Sequence, residues 1–248
     1  MRLFYIIQII VICIGCTTNP KKGVDTIQDL ARTAKEQPLF IAHEVNVKNG
    51  KLKMYWRGPN EPLQTFEKLK EHTLLQGQKL RFAMNGGMYL KDHSPQGLYI
   101  ENGKILRPIN TKVHDYGNFY LAPNGIFYLT KKQKAVVCKT EDYSNDLTIQ
   151  YATQSGPMLL IDSLVHPKFT QGSRNLHIRN GVGILPNGNP LFVISTKPVN
   201  LYDFADYYRK RGCKNALYLD GFVSRLYLPE VGIQQMDGNF GVMIAEVE

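Results

Sequence analysis

The groups in this chain best placed to do chemistry are short polar side chains at the ends of apolar runs, and Asp220 is the first of them. It closes the run Ala216-Leu217-Tyr218-Leu219-Asp220-Gly221-Phe222-Val223-Ser224. Ala216 to Leu219 has the length and unbroken apolarity of a strand covered on both faces. A carboxylate where such a strand stops is held rigidly and still reaches a cleft. Asp-Gly is also a turn pair, so the same aspartate has a second reading as an Asx-turn that bonds only the backbone beyond it. Two other runs end alike: Arg81 to Met84 enters Asn85-Gly86-Gly87-Met88-Tyr89, and Thr153-Gln154-Ser155-Gly156-Pro157 leads into Met158-Leu159-Leu160. In each, glycine removes the Cβ that would keep a ligand from the backbone. Each is also readable as a tight turn, Asn85-Gly86 as a hairpin.

These strand ends must be positioned by a β-rich scaffold. Asn-Gly pairs at 49, 102, 124, 180 and 187 punctuate apolar alternating runs and predict hairpins. The expected hairpins join 39–47 with 51–56, 97–101 with 104–106, 118–122 with 125–129, and 183–185 with 191–195. A last strand is expected over 241–247. Leu63, Phe66, Leu69 and Leu74 keep a helical period between Pro62 and Gly77. Asn200 is a good N-cap for a helix with Leu201, Phe204, Ala205 and Tyr208 on its apolar face, stopped by Gly212. A further helix is expected over 25–36. The fold class expected is α+β: a single domain of mixed, largely antiparallel sheets with a few packed helices, over 39–248.

Arg2 followed by the apolar Leu3 to Ile14 has the charge and length of a signal peptide, too short to span a bilayer stably. Cys13-Ile14-Gly15-Cys16 resembles a lipobox, which implies cleavage after residue 15, a lipid on Cys16 and a tether over 16–38. The expectation is an exported protein anchored to the bacterial envelope, at an outer-membrane, periplasmic or surface face. Without residues 1–15 the chain loses only Arg2, leaving 29 Lys+Arg against 21 Asp+Glu, a net +8. The clusters Lys131-Lys132-Gln133-Lys134 and Arg209-Lys210-Arg211 lack the interleaved aromatics of a nucleic-acid platform, so no nucleic-acid partner is expected. Cys138 and Cys213 have two readings, a disulfide or two separate thiols. The six histidines lie in different segments with no ligand-pair spacing, so neither metal nor cofactor is expected.

Four motifs in order, Asn85-Gly86-Gly87-Met88-Tyr89, Ser155-Gly156-Pro157-Met158-Leu159, Arg179-Asn180-Gly181 with Val182 to Leu185, and Leu217-Tyr218-Leu219-Asp220-Gly221 with Ser224, resemble the phosphodiester glycosidase domain family. The likeness runs over about 40–247. One departure is Gly221-Phe222-Val223-Ser224, where a branch of the family has a longer glycine run. The resemblance implies that the strand ends meet at one cleft and that the substrate is a sugar phosphate or glycan. Asp220 would then stabilise positive charge at an anomeric carbon, as nucleophile or by its field. Arg179 would hold the departing phosphate, with Arg174 as second choice. Asn85, Gly86, Gly87, Ser155, Gly156, Gly221 and Ser224 would bind substrate, and Tyr89, Tyr218 and Tyr227 are candidates to stack on a sugar or to pack. A phosphate leaves without much help from an acid, so a second carboxyl is not required; Asp203, Asp162 and Glu101 are available. Two other readings are a non-catalytic carbohydrate-binding or envelope-assembly lipoprotein and a metal-dependent phosphodiesterase.

Overall fold

Strand formation follows the apolar runs, but the partner of each strand is often remote in sequence. The structure is a computed structural model that describes residues 38–49, 51–112 and 115–248. Residues 38–248 form one compact unit. The strands are β1 (Phe40–Glu44), β2 (Leu52–Tyr55), β3 (Leu80–Asn85), β4 (Tyr99–Glu101), β5 (Lys104–Arg107), β6 (Gly125–Thr130), β7 (Ala135–Lys139), β8 (Ile149–Ser155), β9 (Met158–Ile161), β10 (Leu164–Val165), β11 (Asn180–Ile184), β12 (Pro190–Ser195), β13 (Ala216–Asp220), β14 (Leu226–Leu228), β15 (Ile233–Gln234) and β16 (Met243–Val247). Helix α1 (Phe66–Leu75) lies between β2 and β3, and α2 (Leu201–Lys210) between β12 and β13.

Three sheets result, in the orders β1-β12-β11-β13-β9-β10, β15-β14-β3-β16-β2 and β5-β4-β8-β6-β7. Every strand pair among the described residues is antiparallel, so the mixed sheets expected from the sequence do not occur there. Among the described residues the architecture is three antiparallel sheets with two helices, broadly consistent with α+β. The β4–β5 hairpin forms as expected: Asn102 and Gly103 both take positive φ, the conformation an Asn-Gly turn needs. β11 and β12 also pair, as expected. The first expected hairpin does not form. β1 pairs with β12 and β2 with β16, because a 3₁₀ turn over Val47–Asn49 buries Val47 and carries the chain to another sheet. The third also fails, since Asn118–Tyr120 is a 3₁₀ turn and β6 pairs with β7 and β8. The helix expected over 25–36 lies outside the described residues.

The helices start where their caps are. Thr65 caps α1, its hydroxyl accepting the Lys68 N–H at 3.1 Å, three residues later than Pro62 suggests. Asn200 caps α2 by accepting the Asp203 N–H at 2.8 Å. Phe204, Ala205 and Tyr208 of α2 pack on Leu159, Val193, Ala216 and Tyr218. Leu217 and Leu219, on the opposite face of β13, join Phe82, Met84, Phe127, Tyr151 and Phe192 in a core shared by all three sheets. β13 is therefore covered on both faces, which is why its sequence is apolar without alternation. Truncating Phe204 to alanine would cost about 3–5 kcal/mol. The strand cannot shift without breaking two cores, so its last residue, Asp220, is fixed in space.

Candidate active site

The ends of β3, β8, β11 and β13 meet where the three sheets join, and hydrogen bonds tie them together. Asn180, the first residue of β11, accepts the Asp220 N–H through Oδ1 at 3.0 Å. Its Nδ2 donates to the carbonyl and side-chain oxygens of Asn85, at 2.8 and 3.0 Å. Asn85 Oδ1 also accepts the Arg225 N–H at 3.0 Å. With two donors already on that oxygen, the amide of Asn85 cannot be turned around. Its Nδ2 is left buried with no hydrogen-bond partner. Ser155 donates to the carbonyl of Leu219 at 2.7 Å, and Ser224 to that of Asp220 at 2.8 Å. Two residues of β13 are thus held from three directions, and all these side chains are buried.

Asp220 is 7% exposed. Its Oδ1 accepts the Phe222 N–H at 2.9 Å, so it does make the Asx-turn that Asp-Gly signals. Burial raises its carboxyl from 3.8 to about 6, and the N–H groups of Phe222, Gly221 and Val223 oppose the rise. A carboxylate in that range is ionised at neutral pH yet basic enough to exchange a proton. The same residue lines a cavity of about 340 Å³ with Met88, Tyr89, Leu90, Lys91, Gln96 and Phe222. Partial burial, then the charge of Asp220, raises the Tyr89 phenol. Asp220 therefore sets the turn with one oxygen and also lines a cavity.

Arg179 lies on the α2 side of β13 and is 1% exposed. Its guanidinium donates to the Val199 carbonyl at 2.7 Å, the Tyr218 hydroxyl at 3.0 Å, and the carbonyl and side-chain oxygens of Asn175, both at 2.9 Å. Its carbon sits 5.4 Å from the centre of the Tyr218 ring. Gly221 closes over this pair: a Cβ there would lie 1.6 Å from the Tyr218 hydroxyl. The guanidinium is thus joined to the loop after Asp220 through Tyr218, and it is not among the residues lining the Asp220 cavity.

The sequence of residues 78–240 matches the phosphodiester glycosidase family. The chain belongs to that family. Escherichia coli K12 protein YigE, itself uncharacterised, is 37% identical over 206 residues, covering 82% of this chain and 80% of YigE. The catalytic domain of zebrafish N-acetylglucosamine-1-phosphodiester alpha-N-acetylglucosaminidase, solved in a form auto-inhibited by its pro-peptide, has a similar fold. The TM-score is 0.58 at 14% identity, over 86% of this chain and 85% of that one. A hypothetical protein from Synechocystis is similar at TM-score 0.51 and 13% identity, over 84% of this chain and 59% of that one.

In this phosphodiester glycosidase family member, the motif residues surround Asp220 in different ways. Asn85, Ser155 and Ser224 brace the backbone that carries it. Gly87 and Gly156 allow close contact between chain segments, since a Cβ at Gly87 would lie 2.6 Å from Thr153 Oγ1 and one at Gly156 2.7 Å from the Asn124 Cβ. A Cβ at Gly86 would lie 2.6 Å from the Ile244 side chain. Tyr89 lines the cavity, while Tyr218 and Tyr227 are buried in packing. Arg174 is exposed. Of the spare carboxyls, Asp203 bonds the Asn200 side chain at 2.8 Å and Glu101 the Tyr99 hydroxyl at 2.5 Å, and neither they nor Asp162 line the cavity. Cys138 and Cys213 are free thiols. Arg209 and Lys210 pair with Asp206, and Arg211 lies over the Tyr207 ring. The cavity residues Lys91, Gln96 and Phe222 carry no motif of their own; the only signal for them was nearness in sequence to Tyr89 and Asp220.

Proposed function

We propose that this protein is an envelope-anchored hydrolase that cleaves a sugar-1-phosphodiester and releases the sugar. The observation that carries the reading is a single buried carboxylate, raised to about 6, on a cavity with no second carboxyl among its lining residues. An ordinary glycosidase protonates a poor alkoxide leaving group with a second carboxyl. A phosphate monoester leaves as an anion without that proton, so one carboxylate suffices. In the step proposed, the bond between the anomeric carbon and the phosphate oxygen breaks, and the phosphate takes the bonding electrons. Ionised Asp220 stabilises the positive charge at carbon, water supplies the new hydroxyl, and its proton passes to Asp220 or to solvent. The family membership supports the reaction class, and the cavity volume of about 340 Å³ accommodates a sugar ring with its phosphate.

Asn85 acts with Asn180 to hold the backbone that carries Asp220, and it does not line the cavity. Arg179 acts as a positioning residue, through Tyr218 and the Gly221 loop, rather than on the phosphate. The test is sugar release by the purified domain from a panel of sugar-1-phosphodiesters, with Asp220→Asn as control. Release that disappears in the variant supports the reading. No release from any diester, or an undiminished rate in Asp220→Asn, overturns it.

A further inference from the structure

We propose that Lys91 is the cation that receives the phosphate in the Asp220 cavity, making the site selective for substrates with an anionic leaving group. The inference rests on the hydrolase reading above. Asp220 and Lys91 are the acid and the base among the residues lining this cavity. A sugar-1-phosphodiester carries a negative charge on its phosphate before any bond breaks, so a cation on the same cavity as the carboxylate binds it in the ground state as well as during reaction.

The nearby guanidinium groups are already committed. Arg179 donates to Val199, Tyr218 and Asn175. Arg225 holds Asp237 through Nε at 3.1 Å and Nη2 at 3.0 Å, and the Ser224 carbonyl through Nη1 at 3.1 Å. Arg107 donates through Nε to the Pro95 carbonyl at 3.1 Å and is not among the residues lining the cavity. Lys91, by contrast, is exposed and makes no ion pair or side-chain hydrogen bond among the described residues.

The loop that carries Lys91 is braced. Leu90 N–H donates to the Ser94 carbonyl and His93 N–H to the Leu90 carbonyl, both at 2.8 Å, and Gln96 N–H reaches the Met88 carbonyl at 3.0 Å. Trp56 Nε1 donates to the His93 carbonyl at 2.8 Å. With the loop already held, an anion has to order only the lysine side chain, at a cost of about 1.5–2 kcal/mol and with no loop ordering added to it.

The test compares wild type, Lys91→Met, Lys91→Arg and Asp220→Asn on one sugar-1-phosphodiester, with inorganic phosphate as an inhibitor. The inference expects Lys91→Met to raise KM by about tenfold or more, the loss expected for one charge-assisted hydrogen bond. The effect on kcat is smaller, inhibition by phosphate weakens in parallel, and Lys91→Arg recovers most of both. The residue is exposed, so the melting temperature stays near wild type. Unchanged KM and phosphate inhibition in Lys91→Met, with turnover still lost in Asp220→Asn, overturn the inference and leave the hydrolase reading standing. Absence of any Asp220-dependent turnover overturns both.

Discussion

Asn180 Oδ1 accepts the backbone N–H of Asp220 at 3.0 Å, while the Nδ2 of the same side chain bonds Asn85 on a different sheet at 2.8 and 3.0 Å. One neutral amide therefore joins two sheets and fixes the residue that faces the cavity. Its donor and its acceptor are both used, and neither can be replaced by the other.

Asn180→Asp tests this. The variant keeps the shape but turns the donor that faces two Asn85 oxygens into a third acceptor. Leaving buried partners unsatisfied around a new charge is expected to cost about 3 kcal/mol. Urea unfolding at neutral pH is the measurement; a change below about 0.5 kcal/mol would show that the amide bridge is not holding the sheets.

Asp220→Asn is expected to abolish turnover and to change stability in a pH-dependent way. The carboxyl is raised from 3.8 to about 6 in the folded protein. Its folded state thus favours the protonated form, and this contribution is fully present below about pH 4 and lost as pH rises through 6. A rise of that size corresponds to about 3 kcal/mol. The variant should therefore match wild type near pH 4 and exceed it by up to that amount at pH 8. An equal gap at both pH values in denaturant titrations contradicts the buried, ionising carboxylate. In wild type, kcat/KM should climb through about pH 6 if the ionised form is the working one.

The Arg179–Tyr218 contact predicts a coupled pair. Arg179→Lys cannot reach the acceptors that the planar guanidinium bridges, and is expected to lose about 3–5 kcal/mol. Tyr218→Phe leaves one buried N–H without its partner at about 1–3 kcal/mol. Because the two share one bond, the double variant should lose less than the sum. Strict additivity in a thermal double-mutant cycle would separate the two residues. The loop at Gly221 makes activity a second readout, since it packs on the Tyr218 hydroxyl.

Cys16, which lies outside the described residues, gives the anchoring proposal its test. Cells fed a labelled fatty acid should incorporate it into the wild-type chain and not into Cys16→Ser, and the variant should leave the membrane fraction. Labelling that persists in Cys16→Ser, or never occurs, removes the lipid anchor.

Much of this molecule was legible in its local chemistry. The unbroken apolar run at 216–219 announced a strand buried on both faces, Asn200 announced the start of α2, and Asn102-Gly103 its hairpin. All three are decided by interactions within a few residues or by burial itself. The four motifs marked strand ends that hydrogen bonds bring together, and Asp220 among them lines a cavity.

What only the folded chain decided is which group meets which. β1 and β2 are similar in apolarity and adjacent in sequence, yet they pair with β12 and β16, because pairing depends on long-range packing that no short window encodes. Arg179 matched a motif, but the acceptors it reaches include the backbone carbonyls of Val199 and Asn175, which every residue possesses and which leave no signature in sequence. Lys91 and Phe222 joined Asp220 for the opposite reason: their places follow from two loops converging in space, while their residue types are common on any surface.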